Sequence, residues 1–222
     1  MQDLWRAFLR LFFRLLYNEL AWSYDIVAWL VSLGQWRAWG RTTLAHLQSD
    51  RVLELGHGPG HLLVTLARQG FAPVGLDLSP AMIRQAKKQT HRIPLKVPLV
   101  RARTQALPFR DGSFDNVVAT FPTEFIVHPQ TLREITRALV SEGRLIVAAG
   151  CRFGGKGLLS SLLNWLYRVT GQNQPTTDAF LPGLEEIGLS PRITWEKVRQ
   201  TEIMLVVAEK AGGDPFAGPQ QR

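Results

Sequence analysis

Three glycines and a later aspartate are the residues whose types and spacing point most directly to chemistry. Gly56, Gly58 and Gly60 follow a short apolar run, and Asp77 ends the next apolar run along the chain. Glycines let the backbone turn tightly and leave room for a ligand to approach the main chain. A carboxylate at the carboxyl end of the neighbouring strand can accept hydrogen bonds from both hydroxyls of a ribose. The spacing therefore predicts a nucleoside ligand, and its alternative is a tight turn that binds nothing.

Glu54 lies two residues before the first glycine and narrows the choice of nucleoside. The glycines are spaced G-x-G-x-G, whereas dinucleotide sites use G-x-G-x-x-G, although nicotinamide-binding domains share the same strand, turn and helix. Glu54 is either ion-paired at the end of its strand or faces an amino group on the ligand. A nucleoside that carries an amino acid satisfies the second alternative, and S-adenosylmethionine is such a molecule.

Two further stretches complete the pattern. In residues 77–82, DLSPAM, Ser79 suits an N-cap and Pro80 suits the first position of a helix. Residues 106–115, ALPFRDGSFD, lead into an apolar strand. Together with the glycine turn, these stretches resemble the class I S-adenosylmethionine-dependent methyltransferases. The resemblance is to the methyltransferase type 11 branch that contains the ubiquinone/menaquinone-biosynthesis C-methyltransferases, and it covers residues 53–147.

The resemblance and the apolar patterns together predict an α/β fold. We expect a three-layer sandwich around a Rossmann-like, mostly parallel seven-stranded sheet with an antiparallel edge strand, preceded by N-terminal helices. Three parts are predicted: an amphipathic helix and helical cap in 1–45, the methyltransferase domain in 46–210 and a disordered tail in 211–222. The apolar runs place strands at 52–55, 72–76, 96–101, 116–120, 142–149, 191–198 and 203–209.

The resemblance implies which residues bind S-adenosylmethionine. They are Glu54, Gly56, His57, Gly58, Gly60, Asp77, Leu78, Met82, Arg103, Thr104, Thr120 and Phe121. One position departs from the family, which usually has an Asp five residues before Pro108, in contact with the adenine amino group. This chain has Arg103 there, so either Arg103 stacks on the adenine or Thr104 and backbone groups make the contact.

Three residues are predicted to contact the methyl acceptor. Tyr24 either lies over the cofactor and excludes water or is a core tyrosine. Glu124, in the loop after the fourth strand, is the candidate catalytic general base, and its alternative is a solvent-facing loop acid. Trp165 belongs to an apolar helix predicted at 158–169, which forms either one wall of a lipophilic pocket or part of the core.

The chain is basic, with a formal net charge of +8, which favours an anionic partner such as membrane lipid or nucleic acid. Arg6, Arg10 and Arg14 recur every four residues on an otherwise apolar helix, a pattern typical of interfacial helices whose arginines reach toward phosphates. We therefore predict peripheral membrane contact through this helix, and its alternative is a helix packed on the domain. No uncharged stretch reaches the roughly 18 residues that a membrane span needs.

The cysteine and histidine residues bear on the cellular compartment of the protein and on whether it binds a metal ion. The single cysteine, Cys151, excludes an intramolecular disulfide and favours a reducing compartment. A cytoplasmic location is predicted, on the inner face of the membrane if the N-terminal helix attaches there. His57 and His61 are separated by the glycine turn, so no metal site is predicted.

The predicted function is methyl transfer from S-adenosylmethionine to a small lipophilic acceptor. One alternative is a catalytically silent, membrane-associated protein that binds S-adenosylmethionine, for which Arg103 is the only hint. The other is a nucleic-acid methyltransferase. Amine methylation on a base would be supported by N/D-P-P-Y/F at the end of the fourth strand, where this chain has residues 120–122, TFP. No nucleic-acid partner is therefore expected.

Overall fold

The structure is a computed structural model that describes residues 23–154 and 177–212. The described residues form one seven-stranded sheet in the order β3-β2-β1-β4-β5-β7-β6. The strands are β1 (Arg51–Leu55), β2 (Ala72–Asp77), β3 (Leu99–Arg101), β4 (Phe114–Thr120), β5 (Leu139–Phe153), β6 (Leu189–Val198) and β7 (Thr201–Lys210). The first five strands pair in parallel, and β7 pairs antiparallel with both β5 and β6.

Two of the described helices precede the sheet, and the others lie between its strands along the chain. The helices are α1 (Tyr24–Ser32), α2 (Trp36–Arg41), α3 (His61–Arg68), α4 (Pro80–Thr90), α5 (Pro129–Ala138) and α6 (Thr177–Glu185), with 3-10 turns at Thr42–His46 and Glu124–Val127. Side chains cap the N-termini of two of these helices. The Ser79 hydroxyl accepts from the Met82 amide at the start of α4, and His128 Nδ1 accepts from the Gln130 amide at the start of α5. Each capping residue precedes a proline, whose missing N–H costs nothing at the first helical position.

The two faces of the sheet bury separate apolar clusters, because successive strand residues point to opposite faces. One cluster joins Leu53 of β1 and Val117 of β4 to the buried residues of α5 and α6. The other joins Val52 and Val118 to α3 and to the fully buried Trp39 of α2. Two helical layers thus enclose the sheet, which confirms the predicted three-layer fold.

Strand boundaries differ from the predicted ones where long-range pairing decides them. The third strand was predicted from 96, but pairing with β2 begins at Leu99, because Pro98 has no N–H to donate. The fifth strand was predicted to end at 149, but it continues to Phe153, because β7 pairs with it to that point.

The structure places the N-terminal cap next to the sheet edge. Tyr24 and Ala28 of α1 pack on Ala81 and Met82 of α4. Within the described part of the chain, no helix is long and apolar enough to cross a membrane. The predicted helix with Arg6, Arg10 and Arg14, the helix with Trp165 and nearly all of the predicted tail lie outside the described residues.

Candidate functional site

A cavity of about 660 Å³ opens at the carboxyl ends of β1, β2 and β4. The chain leaves β1 toward β2 on one side and β4 pairs with β1 on the other, so this is the point where strand order reverses. Open α/β sheets bind ligands in such a crevice. Ten of the twelve predicted cofactor residues line the cavity: Glu54, Gly56, His57, Gly58, Asp77, Leu78, Arg103, Thr104, Thr120 and Phe121.

The glycine turn shapes the floor of the cavity. Gly58 has φ +53°, and a Cβ there would meet no atom within 4 Å, so this position faces open space. Gly60 has φ +84°, and its Cβ would lie 2.9 Å from the Cβ of Ala86 in α4. Gly60 is therefore required for the packing of the turn against α4, which explains why it does not line the cavity. Met82 is fully buried under α1 and does not line the cavity either.

Asp77 is held at the end of β2 by two backbone amides. Its Oδ2 accepts from Gly58 N at 3.0 Å, and its Oδ1 accepts from Ser79 N at 2.8 Å. A carboxylate oxygen has further acceptor capacity beyond one hydrogen bond. Because the side chain lines the cavity, both oxygens remain able to accept from a pair of ligand hydroxyls. The geometry fits the ribose of a nucleoside.

Glu54 is a carboxyl group almost completely buried in the cavity wall, at 1% exposure. The Leu63 amide donates to it, but its Oε2 has no hydrogen-bond partner, and no described cation pairs with it. Burial raises the pKa of Glu54 well above its usual value, and the negative charge of Asp77 raises that pKa further. The alternative of an ion pair at the strand end is therefore not what the structure shows. An orphaned acceptor beside a cavity fits a ligand ammonium group.

His57 is the second buried polar side chain of the turn. Its Nδ1 lies 2.7 Å from the Gly58 carbonyl oxygen and donates to it, since a carbonyl only accepts. Nε2 has no partner, and burial lowers the pKa of the ring. Burial thus favours the neutral imidazole, in which Nε2 is an acceptor.

A further part of the cavity lining, contributed by residues 101–105, is polar and cationic. Thr104 is buried and its hydroxyl lies 3.1 Å from that of Thr131 in α5. Arg103 is exposed and lines the cavity, as does Arg101, whose Nε donates to the Leu78 carbonyl at 3.2 Å. The departure at Arg103 therefore lies at the cavity, beside the Asp77 end.

An aromatic wall closes the cavity on the side of the N-terminal cap. The rings of Trp36 and Phe121 lie 4.8 Å apart between centroids, and Tyr24 meets Trp36 edge-on at 6.4 Å. Phe125 also lines the cavity. Sequence reasoning identified Tyr24 and Phe121 but assigned nothing to Trp36 or Phe125. These apolar residues carry no chemical signature, and only the fold places them side by side.

An acid–histidine pair also borders the cavity, and the sequence did not reveal it. His61 opens α3 and its Nε2 lies 2.9 Å from Asp25 Oδ1 of α1. A carboxylate only accepts, so Nε2 carries the proton and Nδ1 is the basic atom. The hydrogen bond from His61 lowers the pKa of Asp25, and the charge of Arg37 lowers that pKa further. The two residues are far apart in sequence, which hid the pairing.

Of the acceptor residues predicted from the sequence, Tyr24 lines the cavity and Glu124 does not. Glu124 is exposed at the start of a 3-10 turn, whereas its neighbours Thr123 and Phe125 do line the cavity. Trp165 lies outside the described residues. In the described ranges, no group of three histidine, cysteine, aspartate or glutamate side chains is placed to hold a metal ion.

Residues 53–147 match the sequence profile of a known protein family, described as "Methyltransferase domain". The matched segment runs from β1 into β5 and contains the glycine turn, Glu54 and Asp77. These residues form a methyltransferase domain. The match spans the same residues, 53–147, as the resemblance seen in the sequence, and it confirms that resemblance.

Curated relatives of this methyltransferase domain share between a quarter and two fifths of its residues. The demethylmenaquinone methyltransferase of Thermus thermophilus is 33% identical over 138 residues, which are 60% of this chain and 63% of that protein. That of Mycolicibacterium vanbaalenii is 36% identical over 142 residues, 62% of this chain and 58% of that protein. A ubiquinone/menaquinone biosynthesis C-methyltransferase of Geotalea uraniireducens is 28% identical over 141 residues, 60% of each. The chain thus spans about three fifths of these relatives' length.

Solved structures confirm the class I fold of the methyltransferase domain. A structure described as a putative S-adenosylmethionine-dependent methyltransferase from Methanococcus maripaludis has a TM-score of 0.64 at 21% identity and covers 88% of this chain and 94% of its own. Geranyl diphosphate C-methyltransferase from Streptomyces coelicolor has a TM-score of 0.61 at 18% identity and covers 78% and 79%. At these identities the likeness shows the fold.

Proposed function

We propose that this protein transfers a methyl group from S-adenosylmethionine to a small, lipophilic acceptor of the quinone type. The observation that carries the proposal is the composition of the walls of the cavity at the carboxyl ends of β1, β2 and β4, within a methyltransferase domain. One end presents Asp77 and the orphaned Glu54, and the other presents a wall of aromatic rings. The named acceptors of the relatives, demethylmenaquinone and ubiquinone/menaquinone precursors, agree with an apolar, ring-shaped acceptor.

The cofactor end has a complementary group for each polar part of the proposed ligand. Asp77 would accept from the ribose hydroxyls, and Glu54 would accept from the amino group of the methionine part. The ligand ammonium would also supply the positive charge that this buried carboxylate lacks. His57 Nε2 and Thr104 offer further hydrogen bonds along the cavity, and the glycine turn leaves its backbone accessible.

The acceptor end is suited to hold a flat, apolar molecule and to exclude water. Trp36 and Phe121 would pack along its ring, while Tyr24 covers the mouth from α1. When bound, S-adenosylmethionine supplies an electrophilic methyl group on a sulfonium sulfur, which leaves as a neutral thioether. The protein's main contribution is then to hold the acceptor in line with that methyl group and to keep the cavity dry.

A carbon or hydroxyl acceptor loses one proton for each methyl group gained, so a base beside it accelerates transfer. We propose His61 for this role, because it lines the cavity and Asp25 fixes its tautomer with Nδ1 as the basic atom. A carboxylate that orients an imidazole in this way is a recurrent arrangement in general-base catalysis. Glu124 stays the prediction from sequence, but its exposed position outside the cavity lining favours His61.

The test of the function is transfer of a labelled methyl group. The purified protein is incubated with methyl-labelled S-adenosylmethionine and a reduced demethylmenaquinone in detergent, and the lipid extract is analysed by mass spectrometry. We expect label in the lipid and a mass gain equal to one methylene. Binding of cofactor without transfer to this or any other quinol, phenol or isoprenoid would instead favour the silent binding protein.

The predicted peripheral membrane contact through Arg6, Arg10 and Arg14 stays a prediction, since these residues lie outside the described ones. Its test is co-sedimentation of the full chain with anionic vesicles, compared with a chain that lacks residues 1–18. Equal, salt-insensitive partitioning of the two would contradict contact through this segment.

A further inference from the structure

The net positive charge of the chain is concentrated in one segment. Residues 78–110 contain eight lysines and arginines and no acidic residue, whereas the rest of the chain contains eighteen of each sign. The whole formal charge of +8 is therefore carried by this segment. All eight side chains are exposed: Arg84, Lys87, Lys88, Arg92, Lys96, Arg101, Arg103 and Arg110. A segment of one sign on the surface attracts a surface of the opposite sign.

A stripe of large apolar side chains lies on the outer side of α1. Ile26, Trp29, Leu30 and Leu33 are 55%, 62%, 56% and 45% exposed. Their spacing of three, one and three residues puts them on one side of a helix. The only charged residue of α1 is Asp25, which pairs with His61, so the stripe itself carries no charge. Contiguous exposed apolar side chains of this kind mark an interaction site.

The basic segment and α1, the helix that carries the apolar stripe, both border the cavity. The inner side of α1 packs on Ala81 and Met82, which belong to the basic segment. The cavity is lined by Tyr24 from α1 and by Leu78, Arg101 and Arg103 from that segment. Leu78 is itself 55% exposed and adds to the apolar surface beside the cations. The helix with the apolar stripe and the cationic segment therefore pack on each other and border the same cavity.

We propose that this docking surface, formed by the α1 stripe and the basic segment 78–110, binds an anionic lipid bilayer with the cavity mouth facing the membrane. Apolar side chains would enter the interface while lysines and arginines lie against lipid phosphates. A nucleic acid would satisfy the cations but would leave Trp29 and Leu30 in water. A lipophilic acceptor would then reach the cavity directly from the bilayer. This consequence rests on the proposed function, whereas membrane binding by the docking surface does not depend on it.

The test is co-sedimentation of the full chain with vesicles of mixed phosphatidylglycerol and phosphatidylcholine, without cofactor or acceptor. We expect Trp29→Ser with Leu30→Ser to lower the partition coefficient about tenfold or more, because both lose buried apolar surface. Arg84→Gln with Lys88→Gln should lower it about fivefold for each cation removed, and only on anionic vesicles. The four positions are exposed and none lines the cavity, so the fold and the cofactor site should be unchanged.

The matched control is Ile193→Ser with Trp195→Ser on the edge strand β6, where both side chains are also exposed. This variant should bind vesicles like the wild type. Equal vesicle binding by the wild type and the Trp29/Leu30 variant would overturn the proposal, and so would equal losses in the β6 control.

A lower melting temperature in the Trp29/Leu30 variant, with vesicle binding unchanged, would show that another part of this chain covers the stripe. Loss of binding to a DNA duplex but not to vesicles in the Arg84/Lys88 variant would assign the basic segment to nucleic acid instead.

Discussion

Glu54 is almost completely buried and one of its carboxyl oxygens has no hydrogen-bond partner. The ionised carboxylate should therefore lower the stability of the ligand-free protein while it strengthens binding of the cofactor. Replacing it in Glu54→Gln removes a negative charge held next to Asp77 while keeping an acceptor for the Leu63 amide. At a pH above the raised pKa of Glu54, we expect the ligand-free variant to be more stable than the wild type, since a buried, unpaired charge is costly. Affinity for S-adenosylmethionine should fall by about 1.5–3 kcal/mol, the range for a hydrogen bond to a charged group. Thermal unfolding and calorimetry measure the two effects, and a less stable variant would contradict the argument.

The raised pKa of Glu54 also predicts a pH dependence. The folded, ligand-free protein binds a proton at Glu54 more tightly than the unfolded chain does. The stability contributed by this protonation is complete below the ordinary glutamate pKa and is lost as the pH rises through the raised folded value. The free energy of unfolding of the wild type should therefore decrease with pH over this window relative to Glu54→Gln. Parallel stability curves for the two proteins would show that the carboxyl group titrates normally.

His61 and Glu124 are the two candidates for the base, and one pair of variants separates them. His61→Gln keeps a hydrogen-bond donor toward Asp25 but removes the basic nitrogen, so turnover should fall about 10²–10⁴-fold. Glu124→Gln should leave both turnover and cofactor affinity within about 0.5 kcal/mol, as for a surface change. Steady-state kinetics over pH measures both. The reverse result, a loss only in Glu124→Gln, would restore the prediction from sequence, and no loss in either would leave positioning alone as the mechanism.

The glycine turn is the element whose residues can be tested one against another. Gly60→Ala forces a side chain into a left-handed backbone and against Ala86, and should cost about 2–5 kcal/mol of stability from strain and overpacking together. Gly58→Ala meets only the strain, about 1–2 kcal/mol, but places a methyl group at the cavity. We therefore expect Gly60→Ala to lose more stability and Gly58→Ala to lose more cofactor affinity. Denaturant unfolding measures the loss of stability and calorimetry measures the loss of cofactor affinity in both variants. Equal losses of stability would contradict the packing role assigned to Gly60.

Elements with a local signal could be predicted from the sequence. The apolar runs of β1, β2 and β4, the Ser79–Pro80 start of α4 and the closing β6–β7 hairpin were all expected, because each depends on neighbouring residues. The glycine turn and Asp77 belong to the same class, since the family keeps both within one strand–turn–helix–strand unit.

Elements and contacts decided by distant partners could not be predicted. The extension of β5 to Phe153 depends on pairing with Thr201 in β7. The Asp25–His61 pair depends on how α1 lies against α3. Likewise the aromatic wall joins Trp36 of α2 to Phe121, which follows β4. Each needs the three-dimensional arrangement, which no local pattern encodes.

At the scale of the whole molecule, ligand binding should stabilise the single sheet and the helices around it together. Any ligand that binds only the folded state adds stability according to its concentration, about 2.7 kcal/mol at a hundred times its dissociation constant. For a domain of this size that corresponds to a rise of about 5–10 °C in melting temperature. Scanning fluorimetry with S-adenosylhomocysteine measures the shift. The melting temperature of Asp77→Ala should rise much less at the same ligand concentration.

The most direct test of the site is titration calorimetry of the wild type with S-adenosylmethionine, S-adenosylhomocysteine and NAD. We expect the first two to bind in the range of about 1 μM to 1 mM typical of enzyme substrates. Asp77→Ala should weaken that binding by about 1.5–3 kcal/mol, because both ribose contacts depend on its carboxylate. No binding of either sulfur nucleoside by the wild type, or tighter binding of NAD, would contradict the assignment of the cavity to S-adenosylmethionine.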